Sequence, residues 1–428
     1  MHVFKFGGAA LRDADGIRNV ARIIRDHGTP PLVIVVSAIG KTTNALEAVV
    51  RAYVDGDAAG ALTQLEAVRQ QHYALLSELV GNDEAAFGSL NDLFVEIEWI
   101  LEEEPDDPFD YLYDQIVSVG ELLSSRIVEA YLRHKKVDLA WLDARDVILT
   151  DEIYREGWVQ WAETKARTDR LVRPLLEAHE RVLTQGFIGS TSDNNTTTLG
   201  REGSDYTAAI FSHCLDAVAM TIWKDVPGVL TADPRRYDNV TKLDAMSYKE
   251  AIEMTYYGAK VIHPKTIKPL QNKRIPLYVK SFVDPTGSGT FVSDEVDDHY
   301  PPLVAVEDEQ ALLQIATRDF SFVAEHHMVE IFQQVAATRL QINLMQNTAI
   351  SFNICVNDID DRIERFVALL ERDFRVRVER DLELITVRHQ QRSLLDVLKR
   401  DKVVRLENRL GQTVQLVLKT APVLQPRS

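Results

Sequence analysis

The stretch TQGFIGSTSDNNTTTLGREGSD, residues 184–205, gathers glycines, hydroxyls, an arginine and an aspartate into one polar run, and a helical pattern follows from Tyr206. Polar runs of this density rarely build cores. Backbone N–H groups and hydroxyls just ahead of a helix N-terminus favour an anion there. A solvated loop is the plain alternative. The start of the chain supplies a second loop of the same kind, Lys5-Phe6-Gly7-Gly8, at the end of the strand pattern HVFKF. Glycines let a backbone approach a phosphate closely, and a lysine at a strand end is placed to reach β and γ oxygens. Together the two loops point to an enzyme that holds phosphates and a small charged substrate.

Outward from these loops the pattern is strand, helix, strand. After residues 2–6, Ile17, Val20, Ile23 and Ile24 give a helical stripe, Pro30-Pro31 breaks it, and residues 32–36 (LVIVV) form an apolar run of strand length. Short connections of this kind indicate a parallel sheet. Residues 61–80 and 93–101 read as helices forming an insertion over the sheet, and residues 181–188 and 217–223 as further strands. Pro285, Gly287 and Gly289 followed by SDEVDDHYPP mark a domain boundary within 285–302. Beyond it, strands are expected at 312–317, 341–345 and 350–356, and helices at 328–337 and 359–370. Another strand–helix–strand pass is expected over 384–418. This rhythm suggests two small α/β sandwiches, each an antiparallel sheet with helices on one face.

Composition narrows the class. The 428 residues carry 45% hydrophobic and 26% charged side chains, which fits an ordinary globular protein of one to three domains. No apolar run reaches the roughly 18 residues that span a bilayer, and MHVFKFGG has no signal-peptide character, so a cytoplasmic protein without a membrane partner is expected. Only Cys214 and Cys355 are present, which excludes a disulfide scaffold, and no Cys/His cluster suggests a metal site. A net charge of −17 argues against nucleic acid as a partner, although a nucleotide needs only a local positive site. Gly40-Lys41-Thr42 imitates the end of a Walker A loop, but Val35 stands where its first glycine belongs, so that reading is rejected.

Ordered blocks along the chain carry a resemblance: KFGG at 5–8, VVSAIGKTTNAL at 35–46, VSVGELLSSRI at 117–127, TTTLGREGSDYTA at 196–208, KDVPGVLTADPR at 224–235 and YGAKVIHPKT at 257–266. The sequence resembles the monofunctional aspartate kinases. The resemblance implies an α/β amino-acid kinase fold, a largely parallel sheet between helices, over 1–295. Paired ACT-type α+β domains would follow over 303–428. It implies MgATP-dependent phosphorylation of the side-chain carboxylate of L-aspartate to 4-phospho-L-aspartate, the first step towards lysine, threonine and methionine. A carboxylate with a pKa of about 4 is already ionised at neutral pH, so no general base is needed. Catalysis must come from positioning and charge neutralisation.

On this resemblance Lys5 stabilises the transferring phosphoryl group, Lys260 neutralises a further phosphate oxygen, and Asp205 orients the lysine and hydroxyl groups. Asp205 is alternatively the N-cap of the helix at Tyr206. Arg201 offers a planar fork to a substrate carboxylate, Glu121 faces the amino group, and Ser37, Thr43 and Ser204 supply hydroxyls. Nucleotide contacts are expected from Gly7, Gly8, Lys224, Asp225, Leu230 and Arg235, with ATP and Mg2+ as the cofactors. The chain departs from the family pattern at Ala9-Ala10 for Thr-Ser, Lys224 for Thr, Leu230 for Tyr, and Glu202 for Gly. Glu202 adds negative charge near an anionic substrate unless it points outward.

Blocks 317–332 and 342–356 carry the ACT resemblance. It implies an amino-acid effector such as lysine or threonine between residues 319–325 and 343–348, with Asp319, Phe322, Asn343 and Thr348 as contacts. It also implies a homodimer or higher homo-oligomer through these domains. Phe320, Phe322 and Met345 are read first as core. No homoserine dehydrogenase portion is expected, since no GxGxxG loop is present. Two alternatives stand beside this reading: a kinase of another small carboxylate or of a nucleotide monophosphate, and an amino-acid-binding homologue without turnover.

Overall fold

The computed structural model describes residues 1–258, 262–296, 299–319, 321–359 and 361–420. The chain divides into two compact units, the first made of residues 1–229, 242–252 and 261–298, the second of 230–241, 253–260 and 299–428. The first 180 residues give β1 (His2–Phe6), α1 (Ala14–His27), β2 (Leu32–Val36), α2 (Thr42–Val54), α3 (Ala58–Val80), α4 (Glu84–Glu102), α5 (Phe109–Val117), α6 (Val119–His134), β3 (Ala140–Leu142) and α7 (Trp161–Ala178). Then come β4 (Arg181–Gln185), β5 (Ile188–Ser190), β6 (Thr196–Thr198), α8 (Gly203–Leu215), β7 (Ala219–Lys224), β8 (Ala245–Ser247), α9 (Tyr248–Tyr256), α10 (Pro264–Asn272), β9 (Leu277–Ser281) and β10 (Thr290–Ser293).

The main sheet has the order β3-β4-β2-β1-β7-β9-β10-β8. From β3 to β9 every pair is parallel, and β10 runs antiparallel to β9. Such strands are covered on both faces, which is why LVIVV of β2 is wholly apolar and wholly buried. Helix α1 starts at Asp13, whose side chain takes the Gly16 N–H, and its buried stripe is Ile17, Val20, Ile23 and Ile24. Leucines of α3 and α4 join β1 and β2 in one hydrophobic core, so the expected insertion packs onto the sheet. Strand β1 lies between β2 and β7, because the chain builds one side of the sheet first and then crosses to the other. Its carboxyl end is therefore a switch point, where open α/β sheets bind ligands.

Residues 290–293, inside the segment read as a boundary, form β10 of this sheet. Segments 230–241 and 253–260 side with the second unit, an excursion with no signal in composition. There the Val304 N–H donates to the Thr231 carbonyl at 2.8 Å, and Arg388 pairs with Glu253 at 2.8 Å.

The second unit continues with β11 (Leu303–Thr317), α11 (Glu325–Thr338), β12 (Ile342–Asn347), β13 (Phe352–Asn357), α12 (Arg362–Leu370), β14 (Phe374–Arg388), α13 (Arg392–Leu398), β15 (Lys402–Leu410) and β16 (Thr413–Thr420). Its two lobes are not separate sandwiches. They share one six-stranded antiparallel sheet, β12-β13-β11-β14-β16-β15, because the long strands β11 and β14 pair along most of their length. Ile331, Ile363, Phe366 and Leu370 of α11 and α12 pack on Ala311, Leu313 and Ile315, while Leu395 and Leu398 of α13 pack with Val304, Ile385 and Leu416. Phe322 and Met345, read as core, are 72% and 56% exposed, whereas Phe320 lies outside the described residues.

Phe366 is fully buried under the first lobe. Phe366→Ala is expected to destabilise the second unit by about 3–5 kcal/mol. Urea unfolding of variant and parent checks this, and coincident curves would mean that Phe366 does not hold the lobe.

Candidate active site

Lys5 sits near the end of β1 on a buried strand, with Nζ 2.6 Å from Oδ1 of Asp205. Lys224, the last residue of β7, brings its Nζ to 3.6 Å from the other carboxylate oxygen. Asp205 is 3% exposed. Burial alone would raise its pKa, but Lys5 and Lys224 outweigh burial and hold the carboxyl below its ordinary range. Asp205 is not an N-cap: α8 begins at Gly203 with Glu202 as its cap, so Asp205 lies in the first turn and its side chain serves the lysines. Two ammonium groups facing one carboxylate leave an excess positive charge beside a helix N-terminus, the balance a polyphosphate requires.

The Gly-Gly loop closes over this cluster. A Cβ at Gly7 would meet Lys5 Nζ at 3.4 Å, and one at Gly8 would lie 2.7 Å from the Ala38 carbonyl oxygen. Only glycine lets β1 turn this tightly against residues 38–40. Ser37 follows β2 and donates its N–H to Phe6 O at 3.1 Å, which sets it beside the same loop. Ser124 of α6 donates to Ser37 O at 2.6 Å, and Glu121 stands one turn earlier on α6. At Gly120 a Cβ would meet Thr42 at 3.1 Å, so the start of α6 abuts the start of α2, which carries Thr43. Ser204 packs on Gly186, where a Cβ would lie 2.4 Å from the serine Cβ.

Glu121 is 3% exposed, and its Oε2 has no hydrogen-bond partner among the described residues. Burial pushes its carboxyl up to about 8, against the Ala38 N–H and the Lys5 ammonium. A buried carboxylate without a full complement of donors is suited to an incoming ammonium.

Arg201 is exposed in a tight turn between Gly200 (φ +76°) and Glu202 (φ +55°). The left-handed backbone at Glu202 explains why glycine suits this position. Glu202 does not simply point outward: its Oε2 is buried and has no hydrogen-bond partner among the described residues. Asp225, just past β7, is exposed. Leu230 and Arg235 belong to the second unit, where Arg235 pairs with Asp233 at 2.8 Å, and Lys260 lies outside the described residues. The first unit thus brings together Lys5, Gly7, Gly8, Ser37, Glu121, Ser204, Asp205 and Lys224.

In the second unit the Val323 N–H donates to Ala349 O at 3.1 Å, so the segment holding Phe322 meets the turn holding Thr348. Asp319 accepts from the Ser321 N–H at 3.0 Å, and Thr348 is tied to Ser351. Asn343 is engaged elsewhere: at a bulge in β12, its amide donates to Gln310 at 2.9 Å and Asn357 at 2.6 Å.

A model of the amino acid kinase family matches residues 1–281. Lysine-sensitive aspartokinase 3 of Escherichia coli K12 is 32% identical over 352 residues, 82% of this chain and 76% of that protein. The chain belongs to the amino acid kinase family, on its aspartokinase branch. The E. coli aspartokinase III structure in complex with aspartate and ADP (R-state) superimposes with a TM-score of 0.83 at 28% identity, covering 98% of this chain and 96% of that one. Against bifunctional aspartokinase/homoserine dehydrogenase 2 of Arabidopsis thaliana the identity is 33% over 306 residues, 70% of this chain but 33% of the relative, about a third of that protein's length.

Two features of this family member escape the sequence. Lys224 reads as a nucleotide contact, yet it completes the Asp205 pair. Asp114, buried in α5, was not selected; its one signal is a carboxylate amid the apolar residues of YLYDQIV. Glu121 also generates a pH dependence. Because its folded pKa lies above the ordinary value, the folded chain keeps a proton that the unfolded chain releases, and stability falls as pH rises from about 4.5 to 8. Glu121→Gln is expected to remove this fall, so that its Tm gains on the parent between pH 5 and 8.5. Parallel Tm profiles would show that Glu121 titrates normally.

Proposed function

We propose that this chain transfers the γ-phosphoryl group of ATP to the side-chain carboxylate of L-aspartate, giving 4-phospho-L-aspartate and ADP. The observation that carries the proposal is the buried carboxylate of Glu121, short of donors, within the same set of abutting elements as the Lys5–Asp205–Lys224 cluster. One group suits an ammonium and the other a polyanion.

In the reaction a carboxylate oxygen forms a bond to the γ-phosphorus as the bond to the β–γ bridging oxygen breaks, and the electron pair leaves with ADP. No proton moves from the nucleophile. Lys5 and Lys224 neutralise the approach of one anion to another and the charge on the equatorial oxygens. Asp205 aims both ammonium groups. Gly7 and Gly8 admit the phosphates close to the backbone, and the α8 N-terminus adds its partial charge. Glu121 takes the substrate ammonium and Arg201 its α-carboxylate, which orients the side-chain carboxylate. Magnesium enters with the nucleotide as part of the substrate; no cluster of three or more His, Cys, Asp or Glu side chains able to hold a metal is present among the described residues.

The relatives support the assignment: E. coli aspartokinase III has been solved with aspartate and ADP, and also with lysine and aspartate. We further propose that the second unit binds an amino-acid effector at the expected contacts Asp319, Phe322 and Thr348, with Asn343 left out because its amide is engaged within the sheet. Exposed Phe322, Val329, Phe332, Met345 and Ile350 support self-association through the same lobe.

With ATP, magnesium and L-aspartate, hydroxylamine trapping is expected to yield the aspartyl hydroxamate. A folded sample that yields none overturns the assignment. Lys5→Ala is expected to lower kcat by about 100- to 1,000-fold, and a retained kcat removes Lys5 from the phosphoryl site. Arg201→Ala is expected to raise the KM for aspartate by about 10- to 100-fold with a smaller change in kcat, the loss of one charged hydrogen bond. An unchanged KM moves Arg201 off the substrate.

A further inference from the structure

Asp114 is fully buried in the middle of α5, outside the phosphoryl cluster. Its carboxylate accepts three hydrogen bonds: Oδ2 takes the N–H of Arg155 at 2.9 Å and of Thr198 at 2.8 Å, and Oδ1 takes the Thr198 hydroxyl at 2.7 Å. The next residue repeats the lacing, as Gln115 donates to Thr196 O at 2.9 Å and accepts from Thr196 N at 3.2 Å. Helix α5 is thereby fastened to β6 and to the loop at Arg155.

Both partners lead to Arg201. Thr198 ends β6 three residues before it. Arg155 is held at φ +68°, and its carbonyl and the Glu156 side chain press on Gly200, where a Cβ would meet them at 3.2 and 3.3 Å. In the other direction α5 continues into α6 through Ser118 alone, and Glu121 lies in the first turn of α6. Asp114 therefore stands between the two groups assigned to the ends of the amino-acid substrate. The Arg155 guanidinium does not neutralise it by contact; it lies over the Tyr113 ring at 4.3 Å and pairs with Asp110 at 3.4 Å. A buried carboxylate fixed by neutral donors is a poor device for stability, since an apolar contact of equal volume would serve as well. It is a good device for fixing geometry, because one acceptor group sets two backbone positions at once.

We propose that Asp114 is a positioning residue that sets the span between Glu121 and Arg201, and so sets the affinity of the site for its amino-acid substrate. This rests on the aspartate kinase reading above. Asp114→Asn keeps the volume and leaves an amide oxygen for the two N–H groups, but it removes the charge that strengthens these bonds and obliges the Thr198 hydroxyl to turn from donor to acceptor. Thr198→Val removes one of the three bonds and leaves the others.

The test is steady-state hydroxamate formation by the full chain, with KM determined separately for L-aspartate and for ATP in the parent, Asp114→Asn and Thr198→Val. Asp114→Asn is expected to raise the KM for aspartate by about tenfold or more with the KM for ATP within about twofold, and Thr198→Val to raise it by about threefold. A purely structural role lowers the active fraction and thus kcat alone, or moves both KM values together; either result overturns the proposal. Should Asp114→Asn not fold, Thr198→Val decides: a rise confined to the aspartate KM supports the role and an unchanged KM overturns it. A parent that makes no hydroxamate overturns the aspartate kinase reading and this proposal with it, whereas an active parent with unaltered variants overturns this proposal alone.

Discussion

One buried carboxylate, shared between two lysines, is the constraint on which the first unit turns. Lys5 and Lys224 stand near the ends of the neighbouring strands β1 and β7, and like charges so placed repel in a low-dielectric setting. Asp205 makes the arrangement tolerable, at 2.6 and 3.6 Å from them. It does so from the first turn of α8, so the helix must begin between the two strands and point its N-terminus into the same space. The polar run that introduces this helix is the chain's way of delivering Asp205 and the α8 N-terminus to one place.

The topology follows the same logic. Placing β1 between β2 and β7 opens the sheet at the carboxyl end of β1. Around that opening, residues with no side chain or a small one let helices and loops come close: Gly8 against residues 38–40, Gly120 against Thr42, Gly186 against Ser204. Each is a contact that a larger residue would push apart. On the face of β1 and β7 opposite the two lysines, Phe6 stacks on Trp223 with ring centroids 6.1 Å apart.

Much of this was readable from residues alone, and the reasons differ by element. Strands β1 and β2 and helices α1 and α3 announce themselves because continuous apolar runs and one-sided stripes are local properties. The pairing of Lys5 with Asp205 was legible only through the family resemblance, because the long stretch between them is closed only by the sheet. Glu121 was legible through its block, yet its donor-poor burial belongs to the packing of α6 on α2. Asp114 had no block to speak for it, and its partners at 155 and 198 are remote in sequence. The two lobes of the second unit read as separate sandwiches because periodicity shows strands and not which strands pair. Likewise Phe322 and Met345 are apolar without being inside.

The shared sheet of the second unit has a mechanical meaning. Strands β11 and β14 each run fifteen residues, and each is an integral part of both lobes. At about 3.3 Å per residue a strand of that length reaches roughly 50 Å. The ladder between them shifts register at Glu307/Gln310 and again at Gln310/Leu312, with Glu309 and Asp381 in the left-handed region, so the pair bends between the lobes. Each lobe keeps its own stretch of both strands, and the bulge is the joint at which one stretch can turn against the other.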